Sequence, residues 1–370
     1  MAWVTKLVVG GEIRSVSEAR TGDLGYNWSF GANGGSLGVH TGSYAAYSIG
    51  RDSGIGLSME GVTWTSLRSG YWFKSEGWWT PSSMAFFKAY DYEEDVTKWS
   101  YMVRMNWTDY QIELVNYDWV TDTIYTLDTT NDIDALLGAP ADWKHVSLFH
   151  NKTTNWVKFW VNGEQLLSAQ LSYYPDERWL YACEHGALSD IGGEVYIDDY
   201  YIDLSTSSEA ADTPPARKYY PALPDGAGTY TNWTPVSGSN YENVDDPSTP
   251  DDDTTYVSTG ANATVDSYSF AALSGVDPEA SPDSAVVQAY VRTVPVGDGV
   301  ANLKLMTCLG GSEDTTSAQR IRRQVDGISP RLYLDWIVIS GFFDTKPTGG
   351  EWSETDFNNA EFGIESDGIL

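Results

Sequence analysis

The sequence predicts an all-β protein, a sandwich of antiparallel strands followed by a smaller β-rich domain. Three observations carry that expectation. Apolar and polar residues alternate with a period of two through the clearest stretches, above all residues 142–168, DWKHVSLFHNKTTNWVKFWVNGEQLLS, and a period of two marks a half-buried strand. Turn formers are dense, with 35 Gly and 15 Pro in 370 residues, as suits many short strands. A helical period of 3.6 is almost absent, while strand-like runs recur at the spacing of a sandwich.

Taken in order, the opening MAWVTKLVVGGEIRS has too short an apolar run for a leader peptide and reads as a first strand. Residues 1–60 alternate short apolar strands with Gly-rich turns such as Gly31-Ala-Asn-Gly-Gly35. Tyr71-Trp-Phe-Lys and Met84-Ala-Phe-Phe-Lys-Ala-Tyr are two strands around the polar connection Ser75-Glu-Gly-Trp-Trp-Thr-Pro-Ser. Residues 99–115 and 119–127 read as further strands, and residues 133–137 as a single helical turn. Then comes the meander. Lys144, Val146, Leu148 and His150 alternate with His145, Ser147, Phe149 and Asn151, and Val157, Phe159 and Val161 with Trp156, Lys158 and Trp160. Asn151-Lys-Thr-Thr-Asn155 is a polar loop of hairpin length. Asn162-Gly163 predicts a type I′ turn, whose two central residues need positive φ, and residues 165–171 return as a third strand.

Residues 205–228, STSSEAADTPPARKYYPALPDGAG, are rich in small residues and proline and mark a linker. With 370 residues exceeding a usual single core, the expected division is a first domain at 1–205, a linker at 206–218 and a second domain at 219–370. In the second, residues 285–294 and 331–339 read as strands, Ser353-Glu-Thr-Asp as a capped helix start, and residues 361–365 as a last strand.

The formal net charge is −30. Residues 1–205 hold 13 Lys and Arg against 27 Asp and Glu, and residues 206–370 hold 9 against 25, so the charge is spread rather than gathered in a tail. Such a surface repels DNA, RNA and anionic lipid, which argues against nucleic-acid or membrane partners, and it serves solubility. No stretch approaches the ~20 apolar residues of a membrane helix. Cys183 and Cys308 fall one in each expected domain, so no disulfide framework is expected and a reducing compartment suits the chain. Asn-x-Ser/Thr triplets at Asn27, Asn106, Asn151, Asn232 and Asn262 are read as chance in a chain rich in these residues.

Two resemblances arise from these residues. Trp143-Lys-His-Val-Ser, Val157-Lys-Phe-Trp-Val-Asn-Gly-Glu and Gly192-Gly-Glu-Val-Tyr-Ile-Asp-Asp-Tyr-Tyr-Ile-Asp203 resemble the core and closing strands of concanavalin-A-like and laminin-G-like jelly rolls. That likeness spans residues 1–205 and implies a jelly-roll sandwich. Pro224-Asp-Gly-Ala-Gly, Asn232-Trp-Thr-Pro-Val-Ser-Gly-Ser-Asn, Val244-Asp-Asp and Asp252-Asp-Thr-Thr-Tyr, with Gly349-Gly-Glu-Trp-Ser and Glu361-Phe-Gly-Ile-Glu365, resemble a module of tailed-bacteriophage structural proteins over most of residues 219–366. That likeness implies a virion setting and says little about mechanism.

Glucanases among jelly rolls carry E-x-D-x-x-E, which puts acid and nucleophile on one cleft face. Here Glu93-Glu-Asp95-Val-Thr-Lys98 and Glu354-Thr-Asp356-Phe-Asn-Asn359 each lack the third acid and read as solvated carboxylates. His40, His145, His150 and His185 show no metal spacing, with His145 and His150 on opposite strand faces. No catalytic residue is therefore assigned, and the chain is expected not to be an enzyme. The jelly-roll resemblance allows one cofactor, Ca²⁺ bound through rim carboxylates, with Asp198 and Asp199 as candidates beside the acidic runs 245–246 and 251–253; a strand-closing role or an acidic turn is the plainer reading. Sugars stack on exposed aromatics, and the candidates are Trp78 and Trp79, then Trp107 and Trp119, against the plainer reading as core or interface residues.

The expected function is that of a non-enzymatic virion structural protein on the surface of a tailed-phage particle, as capsid decoration or part of a tail or fibre appendage. It would be assembled in the host bacterial cytoplasm, be present in many copies or as a homo-oligomer, and act through contacts with other virion proteins and a host-surface glycan. The alternative is a carbohydrate-binding lectin or adhesin. A missing coiled-coil heptad argues against a long fibre shaft.

Overall fold

The structure, a computed structural model, describes residues 4–9, 29–32, 44–48, 53–58, 63–75, 84–90, 99–106, 109, 111–118, 120–131, 142–172, 179–185, 195–208, 213–216, 220, 222–245, 254–273, 282, 284–292, 300–322 and 337–369. The protein is all-β, a two-sheet sandwich of the jelly-roll kind followed by a smaller β-rich unit. Two compact units divide at Met1–Tyr219 and Tyr220–Leu370. Among the described residues no helix is long and apolar enough to cross a membrane.

In the first unit the described strands are β1 (Val4–Val9), β2 (Ser29–Ala32), β3 (Tyr44–Ser48), β4 (Ser53–Ser58), β5 (Ser66–Ser75), β6 (Met84–Tyr90) and β7 (Trp99–Asn106). They continue as β8 (Gln111–Asp118), β9 (Thr123–Thr130), β10 (Lys144–Asn151), β11 (Trp156–Val161), β12 (Glu164–Gln170), β13 (Trp179–His185) and β14 (Val195–Ser205). One sheet runs β12-β11-β10-β5-β14-β3-β2, with β1 also on β14, and the other runs β4-β13-β6-β7-β8-β9. The apolar sets read from the meander meet in register: Val146, Leu148 and His150 lie opposite Val161, Phe159 and Val157 and opposite Tyr71, Ser69 and Leu67. Phe86, Phe87, Tyr101, Val103 and Ile112 of the second sheet close the core over them. The Tyr71 hydroxyl crosses the sandwich and donates to the Phe86 carbonyl at 2.9 Å. At the open edges, Asp128 of β9 accepts from the Ser168 N–H of β12 at 2.7 Å.

The Asn162-Gly163 turn has φ of 50° and 82°, both left-handed, as a type I′ turn demands. The Asn162 side chain adds a bond from the His145 N–H at 2.9 Å. Asn151 folds the preceding loop by accepting from the N–H groups of Thr153 and Thr154 at 2.9 and 3.1 Å. Two sequence-based boundaries are corrected. Residues 99–115 are not one strand but β7 and β8, because Asn106 and Asp109 bond each other reciprocally at 3.1 and 3.4 Å and turn the chain without Gly or Pro. The strand expected from residue 119 begins at Thr123, since Asp118 gathers the N–H groups of Val120 and Thr121 into a turn first. The helical turn expected at 133–137 lies outside the described residues.

The face of the first sheet turned away from the core is itself buried. Gly70 lets two rings close over the strand: a Cβ there would stand 2.9 Å from both His145 Nε2 and the Tyr201 hydroxyl, and those rings stack 6.5 Å apart. Beside them Arg68 Nε meets Asp203 Oδ2 at 2.7 Å, with the Asp203 side chain fully buried. Part of the segment expected as linker is tied to this face. Ser66 Oγ donates to the Ser207 carbonyl at 2.8 Å, Asn151 Nδ2 to Ser208 at 2.9 Å and the Tyr201 hydroxyl to Pro215 at 2.6 Å.

The second unit contains β15 (Pro224–Thr231), β16 (Thr234–Pro235), β17 (Val257–Ser258), β18 (Thr264–Phe270), β19 (Ala285–Val291), β20 (Val300–Leu309), β21 (Ser312–Thr315), β22 (Gln319–Arg322), β23 (Ile337–Phe343) and β24 (Glu361–Ile369), with one described α-helix, α1 (Glu354–Asn359). Its main sheet runs β15-β18-β24-β20-β21, and the β19-β23 pair stands apart from it. Leu305, Phe362 and Ile364 of the sheet share one core with Val287, Ile339 and Phe343 of the pair, around the buried Trp352. The strand expected at 331–339 is described from Ile337 onward, to Phe343.

The motif residues of this unit are spent on its turns and core. Asn240 Nδ2 donates to the Trp233 carbonyl at 2.9 Å and to both oxygens of buried Asp266 at 2.8 Å. Burial pushes the Asp266 carboxyl up, against the hydrogen bonds from Tyr268 and Asn240. Asn243 holds the carbonyls of Ser237 and Ser239 around Gly238, whose φ is 63°. Gly349 and Gly350 both sit at φ 86°, and Trp352 Nε1 donates to the Phe343 carbonyl at 2.8 Å. Ser353 and Asp356 form the expected capping box at the start of α1.

Glu361 latches β24 to its neighbours, accepting from the Thr229 N–H at 2.7 Å, Thr229 Oγ1 at 2.7 Å and Ser267 Oγ at 2.8 Å. Burial alone would raise its carboxyl, but these bonds outweigh it and hold the group below its ordinary 4.5. A carboxyl lowered by folding contributes stability that is full above pH 4.5 and is lost as the pH falls through the folded value. Glu361→Gln removes that contribution at every pH. The gap in melting temperature between wild type and variant, followed by scanning fluorimetry, is therefore expected to narrow as the pH is lowered past this range; a constant gap would mean the latch is not ionic.

Candidate functional site

The sequence candidates divide into those the structure describes and those it does not. Trp78, Trp79, Trp107 and Trp119 lie outside the described residues, as do Glu93, Asp95, Asp246 and residues 251–253. Asp198 is described in its backbone and pairs with Trp72. Asp199 follows in a bulge between Asp198 and Tyr201, buried and at φ 53°. Among the described residues no three His, Cys, Asp or Glu side chains gather to hold a metal ion. Asp356 of the second partial E-x-D-x-x-E run serves the helix cap and pairs with Lys346 at 2.9 Å. His145 lies on the outer face beside Trp72. His150 is buried on the core side, its ring 5.1 Å from Tyr101.

The described polar groups best placed to meet a ligand lie on the outer face of the six-stranded sheet. Register sets Arg104 opposite Glu113 and Asn106 opposite Gln111 across β7 and β8. Arg104 Nε and Nη2 both reach Glu113 Oε2, at 2.9 and 2.8 Å, while Asn106 Nδ2 donates to Oε1 at 2.6 Å. Gln111 extends the row to Asn131 at 2.7 Å. Ala85, Met102 and Val115 form a small buried apolar cluster on the same side of the sheet. Glu113 is nearly buried, whereas the Arg104 side chain keeps 28% exposure.

This arrangement can bind but is poorly suited to proton transfer. A general acid or base needs an oxygen able to take up or release a proton near the substrate. Both oxygens of Glu113 are already engaged, one by a guanidinium and one by an amide. Arg104, Gln111 and the exposed Thr126 and Thr129 instead offer donors and acceptors to a ligand rich in hydroxyl or amide groups. Sequence reasoning missed this row because it ran β7 and β8 together. The signal was present in YMVRMN and QIELVN, whose alternation puts Arg104, Asn106 and Glu113 on the face opposite Val103, Met105 and Leu114.

No protein-family model matches the chain, and no curated protein matches it. Solved structures similar to it include the cellulose-induced protein Cip1, at 14% identity over 57% of this chain and 94% of that one, TM-score 0.36. The botulinum neurotoxin serotype D binding domain is 10% identical over 85% of this chain and 92% of that one, TM-score 0.34. Domain 4 of AbnA, an extracellular arabinanase from Geobacillus stearothermophilus solved with arabinotriose, is 15% identical over 56% and 97%, TM-score 0.33. Similarity at this level carries no inference about ligand or partner.

Proposed function

We propose that the protein is a non-enzymatic structural component of a tailed-phage particle surface, working through contacts with other virion proteins. The observation that carries this reading is the second unit. The stretch resembling a phage structural module closes as a compact unit of its own, Tyr220–Leu370. Its signature residues Trp233, Asn240, Trp352 and Glu361 make the bonds on which its turns and core rest. The likeness is thus to residues that build a fold, not to a shared composition. A net charge of −30 favours a place outside the shell, away from packaged DNA.

A second reading, a lectin or adhesin acting through the first unit, is favoured by the Arg104 and Gln111 row, since hydroxyl-rich ligands are held by such amide and guanidinium groups. One experiment separates the two. Mass spectrometry of gradient-purified, nuclease-treated particles is expected to find the protein in stoichiometric amounts, in tens of copies for shell decoration and fewer for a tail appendage. Its absence from particles, with glycan-array binding that Arg104→Ala abolishes, would replace the structural reading with the lectin one.

A further inference from the structure

The turn between β11 and β12 carries asparagine followed by glycine, the pair in which a side-chain amide is most open to attack by its own backbone. The Asn162 Cγ is electrophilic and lies one ring closure away from the next backbone nitrogen, and a glycine there offers no side chain to hinder the approach. Asn162 and Gly163 are both exposed, and a Cβ on Gly163 would meet nothing within 4 Å. Solvent therefore reaches the Gly163 N–H freely. Burial does not protect this pair.

The shape of the turn holds the two atoms apart instead. At φ 50° and 82° the pair forms a type I′ turn, in which ψ of the first residue is about +30°. That ψ sends the Gly163 nitrogen to nearly the opposite side of the Cα–C bond from Cβ, whereas a five-membered ring needs the two eclipsed. Asn162 is also clamped through two atoms. Its N–H donates to the His145 carbonyl at 2.8 Å, and its Oδ1 accepts from the His145 N–H at 2.9 Å. Rotating ψ far enough to close the ring swings the following chain away and parts Val161 from Glu164, the pair that closes the hairpin. Leu167 opposite Phe159 and Ala169 opposite Val157, all four in the core, oppose that parting.

We infer that Asn162 is a deamidation site gated by this hairpin, silent in the closed turn and reactive once β11 and β12 separate. In the open turn the Gly163 nitrogen loses its proton to solvent and attacks Asn162 Cγ. The Cγ–Nδ2 bond breaks, and the amide leaves as ammonia with a proton from water, which leaves a cyclic imide. Water then opens the imide at either carbonyl to give aspartate or isoaspartate, so the only co-reactant is water. Aspartate keeps an oxygen for the His145 N–H and lets the turn close again. Isoaspartate routes the backbone through Cγ and adds a carbon to a turn whose length fixes the register. Val161 and Glu164 then cannot meet as before, and the hairpin loses its native pairing. The modification is a one-way record of opening.

Peptide mapping of the full purified chain, aged at mildly alkaline pH, tests this without any particle, so its outcome is independent of the virion reading. The tryptic peptide 159–178 holds Asn162 as its single asparagine, and its amide, aspartate and isoaspartate forms are read there directly. The native chain is expected to react at least about tenfold more slowly than the same chain held unfolded in urea, since only opened molecules react. Leu167→Val, which thins the packing of β12 by one methylene, is expected to speed the native reaction by roughly two- to tenfold. Ile339→Val, the same loss in the core of the second unit, is expected to leave it unchanged, and a cooperative melt will establish that both variants fold. Equal rates in the native and unfolded chains, a native rate unmoved by Leu167→Val, or one raised as much by Ile339→Val would each overturn the inference.

Discussion

Gly363→Ala is expected to unfold the second unit and spare the first. Gly363 lies on the central strand β24, opposite Ser267 of β18 and Met306 of β20. A Cβ there would stand 2.8 Å from Ser267 Cα and nearer still to the Asp266 carbonyl oxygen. These are backbone atoms of a paired strand, so no side chain can swing aside. Relief would require parting β18 from β24, with a cost of about 4 kcal/mol or more, the range reserved for strain in the interior. That is a large share of a domain's ~5–15 kcal/mol. Trypsin should then digest the second unit and leave a first-unit fragment ending at Arg217 or Lys218. Gly260→Ala, at a position with nothing within 4 Å, is the neutral control. If Gly363→Ala melts like wild type, β24 is not paired as described.

Arg68→Met is expected to destabilise the first unit by about 3–5 kcal/mol, because it breaks a buried ion pair and takes the guanidinium from the Asp203 carboxylate. The pair meets at 2.7 Å with both side chains largely out of water, at 12% and 0% exposure, so solvent screening offers little relief. The double variant Arg68→Met/Asp203→Leu should recover most of the loss, since removing both charges also removes the desolvation that their pairing offsets. Urea unfolding monitored by tryptophan fluorescence gives both numbers. A double variant no better than the single would mean that Asp203 is needed for bonds beyond Arg68.

Much of the first unit could be read from residues whose conformational demands are local. Asn162 and Gly163 announce their turn because few other residue pairs accept two positive φ angles, and Val157, Phe159 and Val161 announce a buried face by alternation. The turn between β7 and β8 was invisible to the same reasoning because it is made by two side chains, Asn106 and Asp109, closing on each other. Gly310 and Gly311, at φ 58° and 81°, were a legible turn between β20 and β21 that went unread. The Arg104 and Glu113 row depends on register, which only pairing across strands fixes. Gly363 illustrates the same limit: nothing in EFGIE reveals that the Asp266 carbonyl, 97 positions earlier by residue number, will occupy the space of its missing side chain.

The segment after β14 bears on mechanics. Its carbonyls at Ser207, Ser208 and Pro215 are clipped to Ser66, Asn151 and Tyr201 of the sheet. A pull on the chain from the second unit reaches Tyr201 and Pro215 first and then the two serines. The clips are loaded one after another, so they peel in turn instead of sharing the load. Together the releases free the ten residues 206–215, whose full contour is about 35 Å, before any strand of the sandwich is strained. Loaded in series, these three bonds make the segment the first part of the unit to give under such a pull.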